Sequence, residues 1–299
     1  MATGITLAST SNLSSGQKIV VAAAKTAFEP AAPDPDLVSN ERIGQGEKQY
    51  DLLTYARLSE SSALTEGVDL SSVQQLVTAS MSITPTEHGT IVTLSKRLIR
   101  SQGDTSVVKT TGTLIGGSLR RRMANDVIAL YDGFSKSVVG AGSPLDVTYF
   151  RGSVAYLLTD NSDGAYGPAP MPLKAALHIE QISDIILDIT DPGTSATELG
   201  SRFGLSADML QRWWRGSARL YGIPIFHSGN ISIDSGNDAK GAIFAEEALF
   251  MVTANNAEAT EQPDESARII EYGLFQEWGE AERADTHGVE VYSDAEATV

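Results

Sequence analysis

The sequence predicts an α+β protein, and three observations carry that prediction. Across residues 104–137, apolar and small side chains recur at Val108, Thr111, Ile115, Leu119, Met123, Val127, Leu130 and Phe134, in steps of three or four that lay one stripe along a helix. Across residues 64–94 the pattern changes to alternation, with Val73, Gln75, Val77, Ala79, Met81 and Ile83 set between polar neighbours as in a β-ribbon. After the glycine-rich break at Gly140 and Gly142, helical and strand patterns of unequal length follow one another. The longest helix comes early, and the shorter elements gather behind it.

Taken in order, residues 1–16 are rich in Ser, Thr, Ala and Gly and read as a mobile tail. The apolar run 19–24 reads as a short helix or strand, and the prolines of residues 30–36 read as an extended connector, so this whole region reads as an arm. Residues 49–59, QYDLLTYARLS, place Tyr50, Leu53 and Leu58 on mixed spacing that leaves their class open. The ribbon is expected to turn between Pro85 and Gly89 and to return over residues 91–94. A ribbon this polar has little core of its own, and an isolated hairpin is marginal in water, so it calls for a neighbouring subunit's surface.

The long helix opens at Asp104, a residue suited to an N-cap, and would measure roughly 50 Å if it ran to residue 137. Gly112, Gly116 and Gly117 weaken it by about 1 kcal/mol each against alanine, which predicts a bend or a close backbone crossing. Beyond the Gly140 break, residues 147–159 read as a helix and residues 160–172 as a turn-dense loop. Residues 174–179 read as a buried strand, and residues 180–187 as a helix with Ile182, Ile185 and Ile186 on its apolar face. Two more helices are expected, over residues 195–203 and from Ser206 onward, the second carrying Met209, Leu210, Trp213 and Trp214. Strands are expected at 223–227, at 249–252, in patches over 266–278, and at 288–293.

Composition excludes several classes of function. Zero cysteines remove disulfide staples, thiolate zinc sites and cysteine nucleophiles together. No run approaches the length of a membrane-spanning helix, and no basic-then-apolar signal opens the chain, so a cytosolic protein is expected. The formal charge of −16 opposes a surface built mainly for nucleic acid and leaves room only for local or weak contact.

Chemical motifs are scarce. The four histidines, His88, His178, His227 and His287, lie far apart and none belongs to an HExxH pattern. His178 and Glu180 form an H-x-E fragment, but the zinc deaminase site it resembles needs cysteines. Phosphate-binding and nucleophile-elbow signatures are missing, and DNSDG at residues 160–164 lacks the rest of a calcium loop. No catalytic group, cofactor or metal is expected. The segment TELGSRFGLSADMLQRWWRG at residues 197–216 has the outline of a helix-turn-helix, yet Trp213 and Trp214 stand side by side and one must face outward or meet another chain. Arg120, Arg121 and Arg122 spread around most of a helical turn, which points to ion pairs between helices or subunits first and to a phosphate-facing surface second.

The order of parts resembles the major capsid protein of tailed bacteriophages, the Hong Kong phage-type fold. The resemblance runs over most of the chain and rests on LTEGVDL at 64–70, ITPTEHGTIVTLSKRLI at 83–99, LIGGSLRRRMANDVIALYDGF at 114–134, GIPIFHS at 222–228, GAIFAEEALFMVT at 241–253 and THGVEVYS at 286–293. It implies an N-terminal arm over 1–48, an extended β-ribbon loop over 49–96, and a peripheral domain with the long spine helix over 97–143 and 262–299. The axial domain would occupy 144–261. It further implies a non-enzymatic protein that assembles with itself into pentamers and hexamers of an icosahedral shell around double-stranded DNA, in the cytoplasm of a bacterial host, and that resides in the virion capsid.

Implied partners are a separate scaffolding protein, a portal protein, a decoration protein and the packaged DNA, with no membrane. Residues proposed for inter-subunit contact are Glu66, Asp69, Glu87, Arg97, Arg100, Arg120, Arg121, Arg122, Trp213 and Trp214. The chain departs from the crosslinked member of the family, because no lysine lies between Lys48 and Lys96 to weld one loop to a neighbour. An encapsulin-like cellular compartment is the rival within this fold, and a helix-turn-helix DNA-binding protein is the rival outside it.

Overall fold

A computed structural model describes residues 19–20, 33–44, 46–61, 63–67, 69, 73–102, 104–159, 168–190 and 219–296. The predicted tail at 1–16, most of the loop at 160–172, and both helices expected between 195 and 216 lie outside the described residues. So does the tryptophan pair.

The first lobe is a four-stranded sheet crossed by the long helix. Its strands are β1 (Ser39–Arg42), β4 (Thr86–Ser95), β10 (Leu249–Asp264) and β11 (Ile269–Glu282), in the order β1-β10-β11-β4. Antiparallel β11 sits between the long β10 and β4, and β1 adds to β10 in parallel. A short helix α1 (Lys96–Gln102) leads into α2 (Asp104–Ala129), about 39 Å long. The expected stripe is the buried one: Val108, Ile115, Leu119, Met123 and Val127 form a core with Leu94, Tyr272, Leu274 and Trp278. Helix α2 runs unbroken through Gly112, Gly116 and Gly117, all buried.

Helix α2 ends eight residues earlier than expected. Tyr131–Gly133 tighten into a 3-10 turn and Phe134 is extended, with φ −64° and ψ 126°. Tyr131 and Phe134 nevertheless stay in the same core, against Phe244 at ring-centroid distances of 5.5 and 6.5 Å. The apolar spacing therefore outlives the helix that it predicts.

The second lobe is a six-stranded sheet in the order β5-β12-β9-β6-β8-β7, made of β5 (Ser137–Val139), β6 (Leu173–Leu177), β7 (Arg219–Leu220), β8 (Ile223–His227), β9 (Asp238–Ala245) and β12 (Gly288–Asp294). Helices α3 (Val147–Leu158) and α4 (Ile179–Thr190) cover one face, where Phe150, Leu157, Ile182 and Ile185 meet Ala175, Leu177, Ile243 and Ala245. The alternate residues Ala176, Ala242 and Phe244 face the first core. The centre of this sheet is thus buried on both sides, which explains why residues 241–245 of β9 read as a continuous apolar run.

Strand pairing redraws the expected ribbon. The ribbon is the antiparallel pair β2 (Tyr50–Tyr55) and β3 (Thr78–Ile83), with Tyr50 opposite Ile83 and Tyr55 opposite Thr78. The expected return strand at 91–94 instead belongs to β4, whose partner is β11. Pro85 is not the ribbon's turn; it stands where the chain leaves the ribbon and enters the sheet. Strand β10 pairs with β11 in the first lobe, and β12 pairs with β9 in the second. The N-terminal connector is also not extended at its end: Asp34–Asp36 form a 3-10 turn, because Pro35 supplies a helical φ and the two carboxylates find partners on the body. Of the run at 19–24, Ile19 and Val20 are helical and Val20 is buried in the first core.

Candidate subunit-contact surfaces

The ribbon grows out of a small anchored base. Ile83 packs with Ile43, Phe250 and Val252, and Tyr50 stacks on Phe250 at 5.7 Å. Pairing continues past the strands through Ala56 N–H to the Val77 carbonyl, and then through the Gln74 side chain, which accepts from Ser59 N at 2.7 Å and donates to its carbonyl at 3.1 Å. Away from the base the ribbon loses its cover. Leu53, Tyr55, Leu58, Leu64, Val73, Leu76 and Val77 are between 54% and 85% exposed. These are seven of the 17 large exposed apolar residues among those described, gathered on one projecting element, and such a concentration marks an interaction surface.

A second constellation pins the root of the arm. Asp34 is fully buried and accepts hydrogen bonds from the Tyr131 hydroxyl at 2.9 Å and the Ser228 hydroxyl at 2.6 Å. Burial raises its pKa, opposed by those two donors and by Arg120. Asp36 pairs with Arg120 at 2.5 Å. Lys174 Nζ donates to the Leu37 carbonyl at 2.9 Å, and Asn40 Nδ2 to the Pro35 carbonyl at 2.9 Å. One short stretch is therefore held by α2, by the end of β8 and by β6.

Carboxylates crowd the seam where the lobes meet. Glu282, at the end of β11, is pushed up to about 7 by burial and by the neighbouring charge and hydrogen bond of Asp285, whose Oδ1 accepts from Ser135 N at 2.7 Å. Burial also raises Glu280, with Asp126 adding to the shift. Glu290 is raised mainly by burial, and Lys240 binds both it, at 3.6 Å, and Asp132. On α4, Asp184 is pushed up to about 6 by burial, with Asp294 and Glu180 adding to the shift.

The residues proposed for contact do not converge. Glu66 and Asp69 are exposed near the ribbon's far end, Glu87 is exposed on β4 opposite Glu277, and Arg97 and Arg100 are exposed on α1. Arg121 is exposed, and Arg122 pairs with Asp126 at 2.9 Å. Arg120 is a correction: it is 6% exposed and is used within the chain, on Asp36. The sequence held a sign of this. Residue 120 stands in a second buried row with Gly116, Ala124, Val127 and Tyr131, and a cation in such a row needs a partner inside. Asp34 and Ser228 carried no local signal, because they meet across most of the chain length.

The remaining polar features have structural uses. His178 Nδ1 accepts from Glu180 N at 3.2 Å, so the H-x-E fragment caps a helix. Gln181, fully buried, donates to the carbonyls of Ala239 and Val291 and to Ser293 Oγ, fastening α4 to the sheet. His88 stacks on Trp278 at 4.1 Å. Among the described residues no cluster of three metal-ligating side chains occurs. A hollow of about 320 Å³ lies between the ribbon and the seam, lined by Tyr55, Arg57, Glu247, Arg283 and His287 among others, and its Arg283 reaches Glu247 at 3.7 Å.

No protein-family model and no curated protein sequence matches the chain. Solved structures do. The head structure of Helicobacter pylori bacteriophage KHP40 aligns at TM-score 0.68 with 12% identity, covering 87% of this chain and 89% of that one. The capsid of cyanophage Pam1 aligns at TM-score 0.65 with 11% identity, covering 90% and 92%. A structure of Mycobacterium phage Che8 aligns at 0.60 with 13% identity, covering 86% and 90%. At such identity the likeness is one of backbone path, and the path agrees over nearly the full length of both chains. The protein has the phage major capsid fold.

Proposed function

We propose that this protein is the major capsid protein of a tailed phage and closes with copies of itself into an icosahedral shell. The observation that carries the reading is the ribbon: a projecting pair of strands whose apolar side chains face water, on a body with the phage capsid fold. Burying those side chains against a neighbour supplies what the single chain leaves undone, at about 25 cal/mol per Å² of apolar surface covered. In this reading the ribbon is the extended loop, α2 is the spine helix of the peripheral domain, and the six-stranded lobe is the axial domain around the centres of pentamers and hexamers. The protein performs no catalysis. It assembles in the bacterial cytoplasm with a separate scaffolding protein and a portal, accepts a decoration protein, and encloses double-stranded DNA in the virion.

Electron microscopy of the purified full chain tests this directly. Closed shells containing pentamers and hexamers are expected, and a chain that stays monomeric or dimeric at millimolar concentration overturns the proposal. An encapsulin-like compartment also gives shells, but it would be recovered from cells with a protein cargo and without nucleic acid.

A further inference from the structure

Charge is distributed unevenly along this acidic chain. Residues 96–122 contain seven of its 22 Lys and Arg but only one of its 38 Asp and Glu, Asp104. That stretch is α1 and most of α2. Ile99 and Val108 enter the same core, so the opposite faces of both helices look outward from the same side of the first sheet. Lys96, Arg120 and Arg122 are used on Glu265, Asp36 and Asp126 within the chain, which leaves the outward charge to Arg97 and Arg100, exposed on α1, and to Lys109 and Arg121, exposed on α2 beside Ser118. No exposed residue of α2 from Ser106 to Asn125 is acidic.

We infer that this outer face of α1 and α2 is the surface that meets the phosphate backbone of double-stranded DNA on the inside of the shell. The inference rests on the capsid reading and adds to it where the DNA lies. At physiological salt the Debye length is about 8 Å, so a phosphate close to Arg97, Arg100 or Lys109 responds to those cations more than to carboxylates further than that from them. The helix matches roughly one turn of duplex in length. The exposed Ser118 hydroxyl is a donor of the kind that contacts phosphate without reading sequence, whereas the Thr110 and Thr113 hydroxyls donate to the Ser106 and Lys109 carbonyls of the helix. No aromatic residue occurs between residues 96 and 130, and single-strand binders depend on aromatic stacking, so the chemistry selects a duplex. With few cations and a chain charge of −16 the contact is weak, which lets the duplex slide.

The test uses the full chain held dispersed and a fluorescent DNA duplex of about one to three turns, titrated at several salt concentrations. Combined Arg97→Gln, Arg100→Gln and Lys109→Gln should lower affinity about tenfold or more at low salt and reduce the slope of log affinity against log salt by about 2 to 3. Neutralising Lys48, Arg151 and Arg219 to Gln, exposed cations elsewhere, should change neither. Thr113→Glu with Ser118→Glu, which leaves the cations in place, should also weaken binding. Equal losses from the two neutralised triplets, no duplex binding at low salt, or binding of polyglutamate in preference to duplex each overturn the inference. Closed shells should ignore added DNA, and shells that retain it through Arg97, Arg100 and Lys109 overturn the inward placement. Shells that form from a chain indifferent to duplex sink this inference alone, whereas duplex binding by a chain that never forms shells sinks the capsid reading.

Discussion

Arg120 and Asp36 illustrate how one side chain ties an arm to a body. The guanidinium is nearly buried while Asp36 is about a third exposed, so water screens part of the attraction. Arg120→Met keeps the stem and removes the charge beside Asp36. It should cost about 2 kcal/mol in urea unfolding, less than the loss expected for a fully buried pair. Glu282 offers a different lever. Its folded pKa of about 7 lies above the ordinary value of 4.5, so the folded state holds the proton more tightly. Stability from this group is full below pH 4.5, is lost between 4.5 and 7, and stays lost above that. Glu282→Gln mimics the protonated acid toward Asp285. It should be more stable than the natural chain at pH 8 by about 1 to 2 kcal/mol, after allowing for partial exposure, with the difference closing by pH 4.5. Equal denaturation midpoints at pH 8 would refute the assignment. Neither residue's role could be read from its neighbours in sequence, because Asp36 and Arg120 are 84 positions apart and the raised pKa depends on burial that only folding creates.

The elements divide by how much of their environment is local. The stripe on α2 was legible because its members point at one core, and helices α3 and α4 and strand β12 were legible for the same reason; strands β6 and β8 were legible as short, nearly continuous apolar runs. The ribbon was misread. On β2 the apolar Leu52 and Leu53 fall on opposite faces, one toward the anchored base and one toward water, so no alternation shows. On β4, exposed and covered positions alternate as on a ribbon although the strand forms the edge of a sheet. A face waiting for a neighbour and a face covered by one's own chain leave the same trace in sequence. The element can be removed cleanly: joining Tyr55 to Thr78 by an Asn-Gly turn keeps the β2–β3 register and should leave the body's melting temperature within a few degrees. The same deletion should abolish particles in electron micrographs. Particles that form without residues 56–77 would remove the ribbon from assembly.

The whole molecule sets strong charge against exposed apolar surface. Subunits carrying −16 each repel one another, and salt shortens the reach of that repulsion without weakening apolar contact. The protein concentration needed for assembly, read by light scattering, should therefore fall as salt rises from low ionic strength to about 0.5 M. A threshold that rises instead would mean that ion pairs between subunits, and not the ribbon's apolar face, hold the particle together. The sharing of β6 and β9 between the two cores makes the lobes mechanically continuous, and sequence spacing concealed this because a sheet buried on both faces has no polar side to mark its orientation.

The root of the arm has a mechanical consequence. Tension applied ahead of Pro33 first meets a turn clamped by Tyr131, Ser228 and Arg120, and only then β1, whose four residues run parallel to β10. Ladder bonds set crosswise to a load along the strand give way together in shear; bonds pulled open in sequence peel like a zipper. The chain is thus moored at its collar, and a load applied just ahead of Pro33 meets those bonds before it reaches the sheet.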